Sequence, residues 1–249
     1  MKLRVVGGYG GELPGCRSTA FLVDGTIALD AGSLSTGLTL GEQVRLRHVL
    51  ISHSHADHCA SLTYLAENVF DHLSSPIRIH GSEEVVAALR RHVFNDVIWP
   101  DMASPRLPVY DITPLPPYVA APTDHLTVTP VPVPHTVPCQ GFHIDDGQVG
   151  LLYGADMAPN DTLWDFANRV ERLDTLLVEC SFPNRLQRLA TVSKHLTPRD
   201  LDRELAKLQR PARILVYHLK PPHWDEIVEE LEALQRPLTI IEQGVTYTV

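Results

Sequence analysis

His53-Ser54-His55-Ala56-Asp57-His58 crowds three imidazoles and a carboxylate into six residues. The residues before it, His48 to Ser52, read as a short buried strand, so the cluster falls on a loop at a strand's carboxyl end. In extended backbone His53, His55 and Asp57 share one side, and a turn at Asp57-His58 brings the last histidine round. That spacing strains to wrap one ion tetrahedrally, but it serves two ions a few Å apart. Imidazole and carboxylate donors suit zinc first, with Mn2+ and Fe2+ as alternatives. A hydrogen-bonded polar loop is the competing reading; it fits an isolated histidine far better than a cluster.

Two ions need more ligands than one loop supplies, and later strand ends offer them. His135 follows Val131-Pro132-Val133-Pro134, Asp156 follows Leu151-Leu152-Tyr153-Gly154-Ala155, and His218 follows Ile214-Leu215-Val216-Tyr217. Singly, each is more simply a turn residue or a capped strand end. Together, beside such a cluster, they form a candidate ligand set gathered at one end of a sheet.

The rest of the chain alternates strand-length apolar runs with helix-period segments, which predicts an α/β domain of mixed strand order over residues 1–249. Ser18 to Val23 and Thr26 to Leu29 flank Asp24-Gly25, a hairpin signal. Ile77 to His80 reads as a strand, and Ser82 caps a helix whose first turn carries Glu83-Glu84. Pro100 to Pro138 holds 11 of the 20 prolines. It reads as a long, ordered surface excursion followed by an edge-type strand over Leu126 to Val133, with a flexible interdomain linker as the competing view. Val149 to Tyr153, Thr175 to Cys180 and Arg213 to Tyr217 read as further strands, and Thr162 to Val170 as a helix. Thr197-Pro198 opens another helix, with Leu201, Leu205 and Leu208 on its buried face. Trp224, Ile227, Val228, Leu231 and Leu234 stripe a last helix, and two short strands close the chain.

A formal net charge of −9 argues against coating nucleic acid, which needs a basic face. It leaves room for an anionic substrate, because bound cations supply local positive charge. No secretory signal and no membrane-length apolar run is visible, so a soluble cytoplasmic protein without a membrane partner is expected. The four cysteines form no CxxC pair and are expected to be free thiols. His48, His72, His80, His92, His125, His143 and His223 have no partner pattern.

The order His-x-His-x-Asp-His, lone histidine, lone aspartate, final histidine resembles the metallo-β-lactamase superfamily across nearly the whole chain. The resemblance implies a four-layer αββα sandwich with two metals in its cleft. It implies that His53, His55 and His135 bind one metal, that Asp57, His58 and His218 bind the other, and that Asp156 bridges them, with Asp57 also in the catalytic set. Four further strings are similar to the class II cyclic-nucleotide phosphodiesterases: Asn95 to Asp101, Val178 to Asn184, Ser193-Lys194-His195-Leu196-Thr197 and His218-Leu219-Lys220-Pro221. That likeness implies hydrolysis of 3′,5′-cyclic AMP, and of cyclic GMP, to 5′-monophosphates by a hydroxide bridging the metals.

On that reading His195 protonates the departing ribose oxygen, against the plainer view that it caps or packs beside Thr197. Asn95, Trp99 and Lys220 are candidate substrate contacts. Two departures stand out: Cys59-Ala60-Ser61 where the family usually has glycine, and Ala155-Asp156-Met157-Ala158 where it favours Gly-Asp-Thr-Gly. Another hydrolase on the same scaffold (nuclease, thioesterase or lactonase) is the first alternative, and a non-catalytic nucleotide sensor the second. A homodimer is left open.

Overall fold

The computed structural model describes residues 1–249. Its first sheet uses β1 (Lys2–Gly7), β2 (Ala20–Val23), β3 (Ile27–Leu29), β4 (His48–Leu50), β5 (Ile77–Gly81) and β6 (Tyr110–Pro114). The second uses β7 (Ala121–Thr123), β8 (Leu126–Val133), β9 (Cys139–Asp145), β10 (Gly150–Tyr153), β11 (Thr175–Glu179), β12 (Arg213–Tyr217) and β13 (Leu238–Ile240). The closing strand β14 (Thr246–Thr248) returns to pair with β1, giving the orders β14-β1-β2-β3-β4-β5-β6 and β13-β12-β11-β10-β9-β8-β7. Helices α1 (Leu34–Gly37), α2 (Leu40–Gln43), α3 (Ala56–Cys59), α4 (Ser61–Val69) and α5 (Glu83–His92) follow strands of the first sheet. Helices α6 (Thr162–Arg169), α7 (Gln187–Ser193), α8 (Pro198–Leu205) and α9 (Trp224–Glu232) accompany the second.

Period-two side-chain alternation builds the layers. Leu3, Val5, Phe21, Val23, Ile27 and Leu29 join the core shared with the second sheet and with α6, α8 and α9. Their neighbours Val6, Ala20, Leu22 and Ala28 instead pack with the first-sheet helices through Leu34, Leu62, Leu65 and Leu89. The result is helices, sheet, sheet, helices. No helix is long and apolar enough to cross a membrane.

Local signals act as expected at several joints. Asp24 and Gly25 both take positive φ (46° and 78°) between β2 and β3. The Ser82 hydroxyl accepts the amide of Val85 at 3.2 Å, and Thr197 forms a capping box with Asp200. The four cysteines are free.

The proline-rich stretch is where the sequence reading needs correction. It is not one excursion, because β6 lies inside it and pairs in parallel with β5 from Ile77↔Tyr110 to Gly81↔Pro114. Nor is β8 an edge, since it sits between β7 and β9. Its prolines survive because β7 reaches only Leu126 to Val128. Pro130 and Pro132 lie past that short neighbour and forfeit no partner on that side. Strands β1 and β9 are further elements the apolar pattern did not announce.

Candidate metal centre

The strands β3, β4 and β5 run parallel, as do β10, β11, β12 and β13. Their carboxyl ends therefore open on one rim. His53 to His58 follow β4, His135 follows β8, Asp156 follows β10, and His218 follows β12, so all seven expected ligands converge there. His53 Nε2 lies 3.0 Å from His55 Nδ1, which lies 3.2 Å from His135 Nε2. On the other side His58 Nε2 is 3.3 Å from His218 Nε2, and Asp57 Oδ2 is 3.5 Å from His218 and 3.9 Å from His58. Asp156 Oδ2 stands between the triads, 3.2 Å from each of His58 and His218 and 3.9 Å from His53.

These spacings fit divalent cations. Zn–N bonds of about 2.0–2.1 Å in a tetrahedron put neighbouring ligand atoms about 3.3–3.4 Å apart. Buried nitrogens and oxygens at those separations repel one another unless a proton or cation lies among them. Asp156 Oδ1 is buried with no hydrogen-bond partner, a costly state for a carboxylate that has nothing else to bind. Burial, foremost, pushes His53 well below the ordinary histidine pKa and takes His135 down to about 4, so both rings are neutral and able to donate to a cation. Burial would also raise Asp57, but His218 and His58 outweigh it and keep the group ionised.

A second ring of side chains, to which the sequence reading assigned no role, fixes how these donors point. Asp30, at the end of β3 and fully buried, accepts from the Ser52 amide at 2.7 Å and the Ser52 hydroxyl at 2.8 Å. It also accepts from His58 Nδ1–H at 2.7 Å and the Tyr153 hydroxyl at 2.5 Å. Ser52 Oγ in turn accepts from His53 Nδ1 at 3.0 Å, so one carboxylate orients two of the candidate donors. Glu179, at the end of β11, does the same elsewhere. It accepts from the Ser181 hydroxyl at 2.7 Å and from His195 Nδ1 at 2.9 Å, while Ser181 Oγ meets His218 Nδ1 at 2.8 Å.

Signals for both existed. Asp30 ends an apolar strand and heads Asp30-Ala31-Gly32. Glu179 is a lone acid in the otherwise apolar run Thr175 to Cys180.

The backbone around the centre is tightly constrained. Asp30, Ala155, Lys194 and His218 all take left-handed φ, between 55° and 68°, at about 1–2 kcal/mol each for a residue with a Cβ. Gly10 and Gly32 fill places no other residue fits. A Cβ on the first would fall 2.4 Å from the His218 carbonyl oxygen, and on the second 2.0 Å from that of Asp57.

His195 is buried, its ring 5.0 Å from that of His135 and 5.3 Å from that of His218. Burial opposes its charge, but Glu179 and then Asp156 outweigh it and raise its pKa. Lys220 joins this group: its ammonium lies 5.9 Å from the Phe182 ring centre, and that ring is 5.8 Å from His195. Asn95 and Trp99 are not drawn in. The Asn95 amide is engaged by its own loop, accepting from Val97 at 3.0 Å and Ile98 at 2.9 Å and donating to Arg91 at 3.0 Å. Trp99 packs edgewise on Tyr64 at 5.4 Å, and neither makes a hydrogen bond or ring contact with the cluster. None of the seven histidines without a partner pattern enters a candidate ligand group.

Comparison with known proteins agrees with this architecture. The family described as "Beta-lactamase superfamily domain" matches residues 21–219. Two curated relatives match short segments. A 3′,5′-cyclic-nucleotide phosphodiesterase of Candida albicans is 37% identical over 59 residues, covering 24% of this chain and 14% of the relative. 3′,5′-cyclic-nucleotide phosphodiesterase 1 of Saccharomyces cerevisiae is 35% identical over 57 residues, covering 22% and 15%. The aligned segment thus spans about one-seventh of the curated relatives' length.

Among solved structures, unliganded yeast PDE1 superposes with TM-score 0.82 at 20% identity over 98% of both chains. The metallo-beta-lactamase fold protein YhfI of Bacillus subtilis does so with TM-score 0.80 at 20% identity over 99% of both. Human tRNase Z, short form, gives 0.72 at 17% identity over 100% of this chain and 99% of that one. These likenesses establish the fold, and the family match over most of the chain establishes membership: the chain belongs to the beta-lactamase superfamily and has the metallo-β-lactamase fold.

Proposed function

We propose that the chain is a metal-dependent hydrolase that opens 3′,5′-cyclic nucleotides, cyclic AMP and cyclic GMP, to their 5′-monophosphates. The observation that carries this reading is the pair of donor triads sharing Asp156, with a buried, carboxylate-held histidine alongside. His53, His55 and His135 would hold one divalent cation, Asp57, His58 and His218 the other, zinc first, with Asp156 common to both. Such a pair neutralises a phosphodiester's charge, lowers the pKa of water and stabilises a leaving oxygen.

The protein's own part is to orient and to move a proton. Glu179 holds the Nδ1 proton of His195 at 2.9 Å, which leaves Nε2 without a partner inside the protein. From Nε2 a proton passes to the ribose 3′ oxygen as it departs, and the neighbouring Glu179 and Asp156 carboxylates favour the protonated ring. The Lys220 charge is felt by both His195 and His218, and it meets a phosphate oxygen. The acidic balance of the chain, −9, supports a small anion held by cations over a polyanion held by basic surface. The segments shared with proteins named as cyclic-nucleotide phosphodiesterases support the substrate class.

The test is to incubate metal-loaded protein with cyclic AMP, cyclic GMP, bis(p-nitrophenyl) phosphate and a thioester, and to identify the products. Release of 5′-monophosphate, abolished in His55→Ala and Asp156→Ala, is expected. Preferential thioester turnover, or tight nucleotide binding without product, would refute the proposal.

A further inference from the structure

Lys194 is not among the seven donors, yet it grips one of them twice. Its carbonyl oxygen accepts from His135 Nδ1–H at 3.1 Å, and its ammonium donates to the His135 carbonyl at 2.6 Å. The residue terminates α7 in the left-handed region, φ 56° and ψ 52°. Glycine takes that conformation freely, whereas a residue with a Cβ is disfavoured by about 1–2 kcal/mol. A lysine therefore stands where the backbone alone favours glycine. The long side chain spans from this turn to the His135 main chain while the turn's own carbonyl holds the imidazole. The next residue is His195, whose ring lies 5.0 Å from that of His135.

We infer that Lys194 is a positioning residue: a two-point clamp that seats His135 with Nε2 toward the first triad and ties that triad to the turn carrying His195. The carbonyl half of the clamp sets the tautomer, because an Nδ1–H bonded to an oxygen leaves Nε2 as the free donor atom. The ammonium half holds the end of β8 against the end of α7, so that ring and carbonyl stay in register. The inference rests on the metal-binding reading above, and it adds a residue to which the ligand pattern assigns nothing.

Zinc alone is the probe. Wild type, Lys194→Met, Lys194→Arg and Lys194→Gly are titrated with zinc against a competing chelator, and each metal-free protein is melted in parallel. Wild type binds two equivalents. In Lys194→Met and Lys194→Gly one of the two weakens about tenfold, the lower end of what loss of an outer-shell partner costs, and the other is unchanged. Lys194→Arg, which can still reach the carbonyl, recovers most of the loss. Lys194→Gly relieves the left-handed strain, so its metal-free protein melts at or above the wild-type temperature while its zinc affinity still falls. A purely structural lysine would move the two together. Nitrogen-15 spectra of the histidine rings assign the weakened step to His135, whose Nδ1–H should exchange faster with water in the Met variant. Unchanged affinity at both sites in Met and Gly variants would overturn the clamp. Failure of wild type to bind zinc would instead sink the metal-binding reading itself.

Discussion

Replacing Asp30 by asparagine keeps the side chain's shape and removes only its charge and one acceptor. Oδ2 accepts three hydrogen bonds, from Ser52 Oγ, His58 Nδ1 and the Tyr153 hydroxyl, and Oδ1 accepts one from the Ser52 amide. The amide oxygen of asparagine would keep the side with three donors, so its NH2 group would face the Ser52 N–H. A buried donor left without an acceptor costs about 1–3 kcal/mol. Three charge-assisted bonds would become neutral ones, each weaker by about 1 kcal/mol. The metal-free variant should therefore be less stable by about 4–6 kcal/mol, the orphaned donor and the three weakened bonds taken together. Urea unfolding in a chelator measures this directly.

The same change loosens His58, and through Ser52 also His53, so zinc affinity should fall about 10–100-fold in a competition titration. A variant that loses stability but binds both zinc ions as wild type does would show that Asp30 only fills space. That outcome would refute the idea that one carboxylate aims two ligands.

His195→Ala should retain both metals by elemental analysis while its turnover of cyclic AMP drops about 10²–10⁴-fold, the usual worth of a general acid; wild-type rates would remove His195 from the mechanism. Far from the centre, His80 stacks on His48, its Nε2 3.0 Å from His48 Nδ1, and burial, helped by His48, takes its pKa down to about 4. Because the unfolded chain takes up this proton near the ordinary value of about 6.5, stability is fully present above that pH. It is lost as the pH falls toward 4. In His80→Gln the slope of unfolding free energy against pH should be shallower across this window by up to about 1.4 kcal/mol per unit. Parallel slopes for the two proteins in urea titrations would contradict the assignment.

The convergence of the seven donors was legible because they follow apolar strands, and strand ends in a parallel sheet share a rim. His53, His135, Asp156 and His218 need only the strand reading and the rule that β-strand connections bring carboxyl ends together. Asp30 and Glu179 also close apolar strands and carried the same signal, but Ser181 and Lys194 were not legible in this way. Their importance is decided by which side chain lies opposite across the two sheets, and that depends on packing rather than on spacing along the chain. Asn95 and Trp99 were not brought to the cluster for the converse reason. An asparagine and a tryptophan in a polar, proline-flanked loop look like ligand contacts, but Asn95 satisfies the turn's own amides and Trp99 has Tyr64 to pack on. The edge assignment of β8 failed because proline reports only a missing donor, and a three-residue neighbour leaves most of the strand's flank open.

Each triad takes residues from both halves of the sandwich. His53 and His55 meet His135 across the gap, and Asp57 and His58 meet His218, with Asp156 reaching in from the far half. Cations seated there would act as rivets through a seam, joined to segments 80 residues apart in one triad and 160 in the other. Neither half alone carries a complete coordination set. Any measurement of metal uptake is therefore also a measurement of whether the halves have docked, and a zinc-sensitive spectroscopic signal could follow their assembly during refolding.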